Sequence, residues 1–145
     1  MMKHTILILF LFLSLLCHGQ SYKFFTTDRE LSSSLINKIY QDRNGMIWIA
    51  TEDGLNRYDG AKFITYKHDP ENEYSLCHNY VRVLYEDSKG RLFVGTYNGI
   101  QLYDPETDSF SARAQWEDGK TFDSNIMSIL ERRNGEIWVS GNNLC

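Results

Sequence analysis

The chain has 145 residues, a formal charge of −4, 42% hydrophobic and 14% aromatic residues, and only two prolines. This composition is typical of a single globular domain and argues against a disordered tail. Because no cluster of Lys and Arg is available to neutralise phosphates, we expect no nucleic-acid role for this segment.

Residues 1–19 are predicted to be a secretory signal peptide. A basic start at Lys3 is followed by an apolar run that continues to Leu16. The run is too short for a comfortable permanent membrane anchor, and Gly19 provides a small residue at a passable cleavage site before Gln20. Cleavage there predicts an exported, periplasmic segment, residues 20–145, and no second apolar stretch of spanning length follows.

The three cysteines leave one alternative open. A lipoprotein acylated at Cys17 is the rival interpretation, which the bulky Leu15 and Leu16 disfavour because such processing needs small residues before the cysteine. Cys77 and Cys145 fit no disulfide framework and no zinc pattern. Both are therefore interpreted as structurally incidental.

The remainder of the chain carries a 45-residue repeat. Gly45, Gly90 and Gly135 are evenly spaced, and the segments around them align without a gap. Those segments are INKIYQDRNGMIWIAT from Ile36, VRVLYEDSKGRLFVGT from Val81 and IMSILERRNGEIWVSG from Ile126. Five apolar columns keep their type in all three copies, namely those of Ile36, Ile39, Ile47, Trp48 and Ile49.

Each copy predicts short antiparallel strands separated by glycine turns. Strands are predicted at 36–41, 46–51, 55–59 and 63–67, and again at 81–86, 91–96, 100–104 and 110–114. The third copy supplies its first two strands only. A lone outer strand is predicted at 22–26, where YKFFT is similar to FITYK of residues 63–67.

A period of this length with four short strands is typical of a β-propeller blade. The predicted fold is all-β: a β-propeller fragment of four-stranded antiparallel blades, with two whole blades and part of a third. The blades are expected at about 34–67, 79–114 and 124–145. The continuous apolar run around Trp48 fits a strand covered on both faces, and Trp48 is expected to lie between neighbouring blades.

The repeat resembles a known family. LSSSLINKIYQDRNGMIWIATEDGLNRYDGAKFITY, residues 31–66, is similar to the two-component-regulator propeller repeat, and NYVRVLYEDSKGRLFVGTYNGIQLYDPETDSF, from Asn79, matches it almost as well. The resemblance covers residues 22–145. It implies the N-terminal sensor part of a hybrid two-component system protein that combines a histidine kinase with a response regulator. It also implies an oligosaccharide ligand, control of polysaccharide-utilisation genes and a homodimeric full receptor.

The chain departs from that family in length. It stops inside its third copy and carries no kinase His motif, nucleotide-binding glycine motif, receiver Asp or membrane helix. No enzymatic activity is therefore expected from these residues, and a fragment or truncated gene that lacks its remaining blades is the expected origin. A free-standing exported propeller lectin or adaptor is the alternative.

Candidate ligand-binding residues are aromatic side chains outside the repeat columns, because sugars stack on exposed rings and loops on rigid scaffolds carry binding sites. These candidates are Tyr74, Tyr80, Tyr97 and Trp116. No catalytic residue, cofactor or metal site is expected. His68 and His78 have no partner at zinc spacing, and Asp42 to Gly45 predicts a hairpin turn in preference to a calcium loop.

Overall fold

The computed structural model describes residues 22–26, 30–115 and 123–142, which form ten β-strands in three antiparallel sheets. The first sheet holds β1 (Ile36–Gln41), β2 (Ile47–Thr51), β3 (Gly54–Tyr58) and β4 (Phe63–Tyr66). The second holds β5 (Val81–Glu86), β6 (Leu92–Thr96), β7 (Gly99–Asp104) and β8 (Ser109–Phe110), and the third holds β9 (Asn125–Glu131) and β10 (Ile137–Asn142). Over these ranges, no helix is long and apolar enough to cross a membrane.

The 45-residue period of the sequence is also the period of the strand register. Tyr40 pairs with Trp48 across the first hairpin, and the equivalent pairs are Tyr85 with Phe93 and Leu130 with Trp138. In the two whole sheets the strands are hydrogen-bonded in sequence order, β1 to β4 and β5 to β8. The predicted four-stranded antiparallel sheets are thus confirmed.

The first turn of each copy has the same backbone conformation. Gly45, Gly90 and Gly135 have φ angles of 85°, 82° and 82°, a left-handed region that side chains with a Cβ rarely adopt. An aspartate stabilises the turn in the first two copies. The Asp87 Oδ1 atom accepts hydrogen bonds from the backbone N–H of Lys89 and Arg91, at 3.0 and 2.8 Å.

The core lies between successive sheets. Trp48 and Ala50 project from β2 into one apolar cluster with Val81 and Leu84 of β5. A second cluster contains Ile126 and Ile129 of β9, with Phe93 of β6 packed against it. Because alternate residues of a strand point to opposite faces, the second sheet contributes to both clusters and is covered on both sides.

Two predicted strands need correction. Residues 22–26 form no strand: the Phe25 ring packs on Tyr58 and Phe63, with centroids 5.1 and 4.9 Å away, and the Thr26 carbonyl accepts the N–H groups of residues 30 and 31 in a turn. The predicted strand at 110–114 is shorter and begins one residue earlier, as β8. Beyond it the Ser111 Oγ atom accepts the N–H of Leu102 at 2.9 Å in place of a backbone carbonyl, which interrupts the regular ladder.

Trp48 and Trp138 occupy the same column of the repeat but differ in burial, since Trp48 is 0% exposed and Trp138 is 55% exposed. We expect Trp48→Ala to lower the free energy of unfolding by about 3–5 kcal/mol, the usual cost of truncating a core aromatic. Trp138→Ala, the matched control, should cost less than about 1 kcal/mol. Urea unfolding at low protein concentration measures both, and equal losses would contradict the packing described here.

Low pH should remove the contribution of the Asp87 carboxylate to the free energy of unfolding. Burial alone would raise the pKa of this carboxyl, but hydrogen bonds from the Arg91 backbone and side chain, together with the charge of Arg91, lower it. A lowered folded-state pKa stabilises the protein above the unfolded value of about 3.9, and this contribution is lost as pH falls through the folded pKa. We expect Asp87→Asn to cost about 1–3 kcal/mol at neutral pH.

The difference between the wild type and Asp87→Asn should shrink as pH drops below about 4. Chemical unfolding at neutral and acidic pH measures the trend. A difference that is the same at both pH values would show that the charge of Asp87 does not contribute.

Candidate functional site

The connection between the first two sheets, residues 67–80, is fixed at one end of the strands. The Asn79 carbonyl accepts the N–H of Gly54 at 2.7 Å, where the turn after β2 leads into β3. The Tyr80 carbonyl accepts the N–H of Tyr97 at 3.0 Å, in the turn between β6 and β7. The connection and the two turns therefore lie together at the same end of the strands.

A buried amide anchors this connection to the second sheet. Gln101 is 3% exposed, and its Oε1 atom accepts the N–H of Cys77 at 2.7 Å. Its Nε2 atom donates to the carbonyls of Ser75 and Ser111, at 3.0 and 2.8 Å. All three bonds hold backbone groups, so the connection is rigid where it crosses the sheet.

Cys77 has a structural position that the sequence analysis did not assign. One repeat earlier, the Ser32 Oγ atom lies 2.9 Å from the Thr51 Oγ1 atom, and the Cys77 Sγ atom lies 3.1 Å from the Thr96 Oγ1 atom in the same arrangement. Burial raises the pKa of the Cys77 thiol. A thiol held protonated in this way is a packing group and a poor nucleophile.

Two of the predicted aromatic candidates come together here. The Tyr80 and Tyr97 ring centroids are 5.8 Å apart, and the His78 ring lies 5.6 Å from that of Tyr97. Tyr97 is 37% exposed, whereas Tyr80 and His78 are half-buried. We call Tyr80, Tyr97 and His78 the aromatic platform.

A hydrogen bond fixes the His78 ring within the platform. The His78 Nδ1 atom accepts the N–H of Tyr80 at 2.9 Å, so this nitrogen carries no proton. Burial lowers the pKa of His78, and the nearby His68 lowers it further. The neutral imidazole is therefore the form that the fold selects, and it presents an uncharged ring beside Tyr97.

A polar cavity of about 370 Å³ is lined in part by residues of the same connection, and the three platform residues are not among its lining residues. It is lined by Cys77 and Asn98, which are the sequence neighbours of His78 and Tyr97. Its other polar side chains include His68, Asp69, Glu73, Arg113 and Gln115. The hydrogen-bonding groups of the cavity and the partly exposed Tyr97 ring are the two kinds of surface that suit a sugar, which has polar hydroxyls around its edge and an apolar face.

The other two predicted residues are not part of the platform, although the neighbours of Tyr74, Glu73 and Ser75, line the cavity. Tyr74 is exposed, and its carbonyl accepts the N–H of Phe110 at 2.9 Å, which places it at the outer edge of the second sheet. Trp116 lies outside the described residues. Sequence reasoning missed His78 and Asn98, although their positions immediately beside the repeat columns, next to two candidate tyrosines, were a usable signal.

A second cluster lies between the first two sheets and has a structural role. The Arg57 guanidinium sits over the rings of Trp48, Tyr66 and Tyr103, at 5.6, 5.6 and 5.7 Å from their centroids. It also pairs with Asp108 at 2.8 Å. Burial would raise the pKa of Asp108, but hydrogen bonds from Tyr66 and Tyr103 and the charge of Arg57 lower it. This cluster ties the outer parts of the two sheets together.

Comparison with known proteins identifies the repeat. Residues 30–53 and 75–98 each match the family described as two component regulator propeller. The protein named Histidine kinase P4 from Formosa agariphila is 40% identical over 73 residues, which are 48% of this chain and 5% of that protein.

Solved structures show the same arrangement of sheets. The extracellular domain of BT3049 from B. thetaiotaomicron, assigned to the hybrid two component systems, matches with a TM-score of 0.69 and 29% identity. The match covers 81% of this chain and 17% of that one. The extracellular domain of BT4673 from the same organism gives 0.67 at 24% identity, over 85% of this chain and 18% of that one, and shows the fold alone.

The three sheets are therefore blades of a β-propeller, with the third represented by two strands. The first two of them contain the segments that match the two component regulator propeller family, and the chain is similar to the extracellular domains of hybrid two component systems. It spans less than a fifth of the solved domains and about a twentieth of the histidine kinase that it matches.

The geometry of the platform predicts how His78 titrates. Since burial lowers its pKa, we expect His78 to titrate below the ordinary value of about 6.5 in an NMR pH titration of the imidazole ring protons. Stability should rise with pH between the folded value and about 6.5, because the unfolded chain binds the proton more tightly. A His78 pKa at or above 6.5 would contradict the burial of the ring beside His68.

Proposed function

We propose that this chain is an exported, ligand-sensing propeller segment of a hybrid two-component sensor, and that its ligand is an oligosaccharide bound on the aromatic platform. The observation that carries the proposal is the pair of tyrosine rings whose platform is flanked in sequence by Cys77 and Asn98, two residues that line a polar cavity. Stacking on the rings and hydrogen bonding in the cavity together suit the two kinds of surface that a sugar presents.

The anchoring of the platform supports a binding role. A backbone hydrogen bond joins Tyr80 and Tyr97, and the Gln101 side chain holds the connection that precedes Tyr80. A site fixed in this way loses little conformational freedom when a ligand binds, which favours affinity. The relationship to extracellular domains of hybrid two component systems supports a sensory role.

The proposal extends to the removal of the signal peptide and to the division of the exported chain into blades. Residues 1–19, which lie outside the described residues, are proposed to be removed on export, so that residues 20–145 lie in the periplasm. The proposed blades are 34–67, 79–114 and the partial blade 124–145. No catalytic step is proposed for this segment. In a full receptor, kinase activity would belong to other domains, and a ligand would signal by favouring one state of a homodimer.

A free-standing exported lectin or adaptor is the second candidate, because the platform alone would serve such a protein equally well. Gene sequence following the codon for Cys145 separates the two. Further repeats, a membrane span and a kinase domain support the sensor, whereas a stop codon after a few more blades supports the lectin or adaptor.

Titration calorimetry of the exported chain against a panel of plant and host oligosaccharides tests the binding site. We expect Tyr97→Ala to weaken binding of any hit by about tenfold, since a stacked ring contributes roughly 1–1.5 kcal/mol. Tyr22→Ala, which removes an exposed tyrosine that does not line the cavity, is the matched control and should leave the affinity unchanged. Equal effects of the two variants, or no effect of Tyr97→Ala, would place the ligand elsewhere.

A further inference from the structure

A second cavity lies between the last strands of the first two blades. It has a volume of about 290 Å³ and is lined by Thr65 and Tyr66 of β4 and by Ser109 and Phe110 of β8. Tyr74 of the connection also lines it and is 55% exposed. We call it the outer cavity. Both of its walls are strands of whole four-stranded sheets, so the first two blades form it by themselves.

The lining of the outer cavity combines an aromatic ring with hydrogen-bonding groups. Tyr74 contributes an exposed ring, whereas Asn72, Lys67 and Asp108 contribute an amide, an ammonium group and a carboxylate. An apolar ring face beside groups of this kind suits the apolar face and the hydroxyls of a sugar. The outer cavity therefore has the chemistry of a sugar subsite.

Three residues line both the outer cavity and the polar cavity. They are Asp69, Asn72 and Ser75. The two cavities therefore lie on two sides of one short loop, residues 69–75. Each cavity alone is at the small end of the range of about 300–1,000 Å³ that ligand sites occupy. A ligand that reaches across the loop fills both and buries more of its surface than either cavity allows.

The loop between the cavities is closed by its own hydrogen bonds. The Ser75 Oγ atom accepts the N–H of Asp69 at 2.9 Å and donates to the Asp69 carbonyl at 3.0 Å. The Asn72 N–H donates to the Asp69 carbonyl at 3.1 Å, and the Ser75 N–H donates to the Asn72 carbonyl at 3.0 Å. The residues that line both cavities are thus the ones that give the loop its shape.

Two more hydrogen bonds attach the loop to the second blade. The Tyr74 carbonyl accepts the N–H of Phe110 at 2.9 Å, and the Ser75 carbonyl accepts the Gln101 Nε2–H at 3.0 Å. Tyr74 is therefore held beside β8 by its backbone. A ring carried on a fixed backbone loses little conformational freedom when a ligand stacks on it, which favours binding.

We propose that the outer cavity is a second subsite for the oligosaccharide, with Tyr74 as its stacking ring. The inference rests on the proposed function, since the polar cavity is the first subsite. It specifies the ligand as a chain of sugar units that crosses the 69–75 loop, in place of a disaccharide confined to the polar cavity. Affinity should therefore increase with chain length until both cavities are filled.

An NMR titration of the backbone amides of the exported chain tests the proposal. The probes are matched short and long oligosaccharides: cellobiose and cellohexaose, xylobiose and xylohexaose, maltose and maltohexaose. A hexasaccharide should shift the signals of Asn98, in the polar cavity, and of Ser109, in the outer cavity, with one binding curve. The matching disaccharide should shift the Asn98 signal and leave that of Ser109 in place.

The possible outcomes separate the second subsite from the proposed function. A hexasaccharide that shifts Asn98 but not Ser109 would overturn the second subsite and leave the proposed function standing. Two different binding curves, or a shift of Ser109 alone, would overturn it by showing that the cavities do not share one ligand. Probes that shift neither signal would count against the second subsite and the proposed function together.

A pair of variants gives a second test by calorimetry with a hexasaccharide and its disaccharide. Tyr74→Ala should weaken hexasaccharide binding by about tenfold, the contribution of one stacked ring, and leave disaccharide binding unchanged. The substitution keeps the Tyr74 carbonyl that bonds to β8, and Tyr74→Phe, which keeps the ring, should retain the affinity for the hexasaccharide.

Two controls complete the comparison. Tyr97→Ala should weaken binding of both lengths, because the platform belongs to the first subsite. Tyr22→Ala removes an exposed tyrosine that lines neither cavity and should change neither affinity. Equal losses for both lengths in Tyr74→Ala, or full hexasaccharide affinity in that variant, would overturn the role of Tyr74 as the ring of a second subsite.

Discussion

The close contact between consecutive blades depends on a small residue facing a β-branched one. A Cβ atom added at Gly95 would lie 2.7 Å from the Ile126 Cγ2 atom, nearer than side chains approach each other. One repeat earlier the same two positions hold Ala50 and Val81, both fully buried in the first cluster. The larger residue on one strand is matched by the smaller one on the other, so the spacing of the blades is kept while the residues change.

The geometry of the aromatic platform follows from contacts that recur from one repeat to the next. The Asn79 carbonyl reaches the Gly54 N–H, and one repeat later the Ser124 carbonyl reaches the Gly99 N–H at 2.9 Å. Each blade thereby holds the connection that leads into the next one. Tyr80 and Tyr97 flank the Val81 and Thr96 pair, so the strand register of this hairpin brings the two rings together. The register that builds the blade therefore also builds the candidate site.

The sequence predicted the parts of the structure that repeat. Evenly spaced glycines and apolar columns located the turns, the hairpins and the burial of Trp48, because these follow from local conformation and strand periodicity. The strand prediction for residues 22–26 was wrong because it rested on an aromatic pattern shared with residues 63–67. In the structure the Phe25 ring packs on Tyr58 and Phe63, and the segment forms no strand. The cavity and the role of His78 depend on how a long connection folds over the sheet. The periodic pattern of the strands does not predict the fold of that connection.

A double-mutant cycle at the interface between the second and third blades tests the central claim most directly. Gly95→Ala alone overpacks the contact and should cost about 1–3 kcal/mol of unfolding free energy, and Ile126→Val alone should cost about 0.5–1.5 kcal/mol. The double variant recreates the Ala50 and Val81 pair, so it should be more stable than the sum of the single losses predicts, by about 0.5 kcal/mol or more. Strictly additive losses would show that these two positions do not face each other, and would contradict a common interface between successive blades.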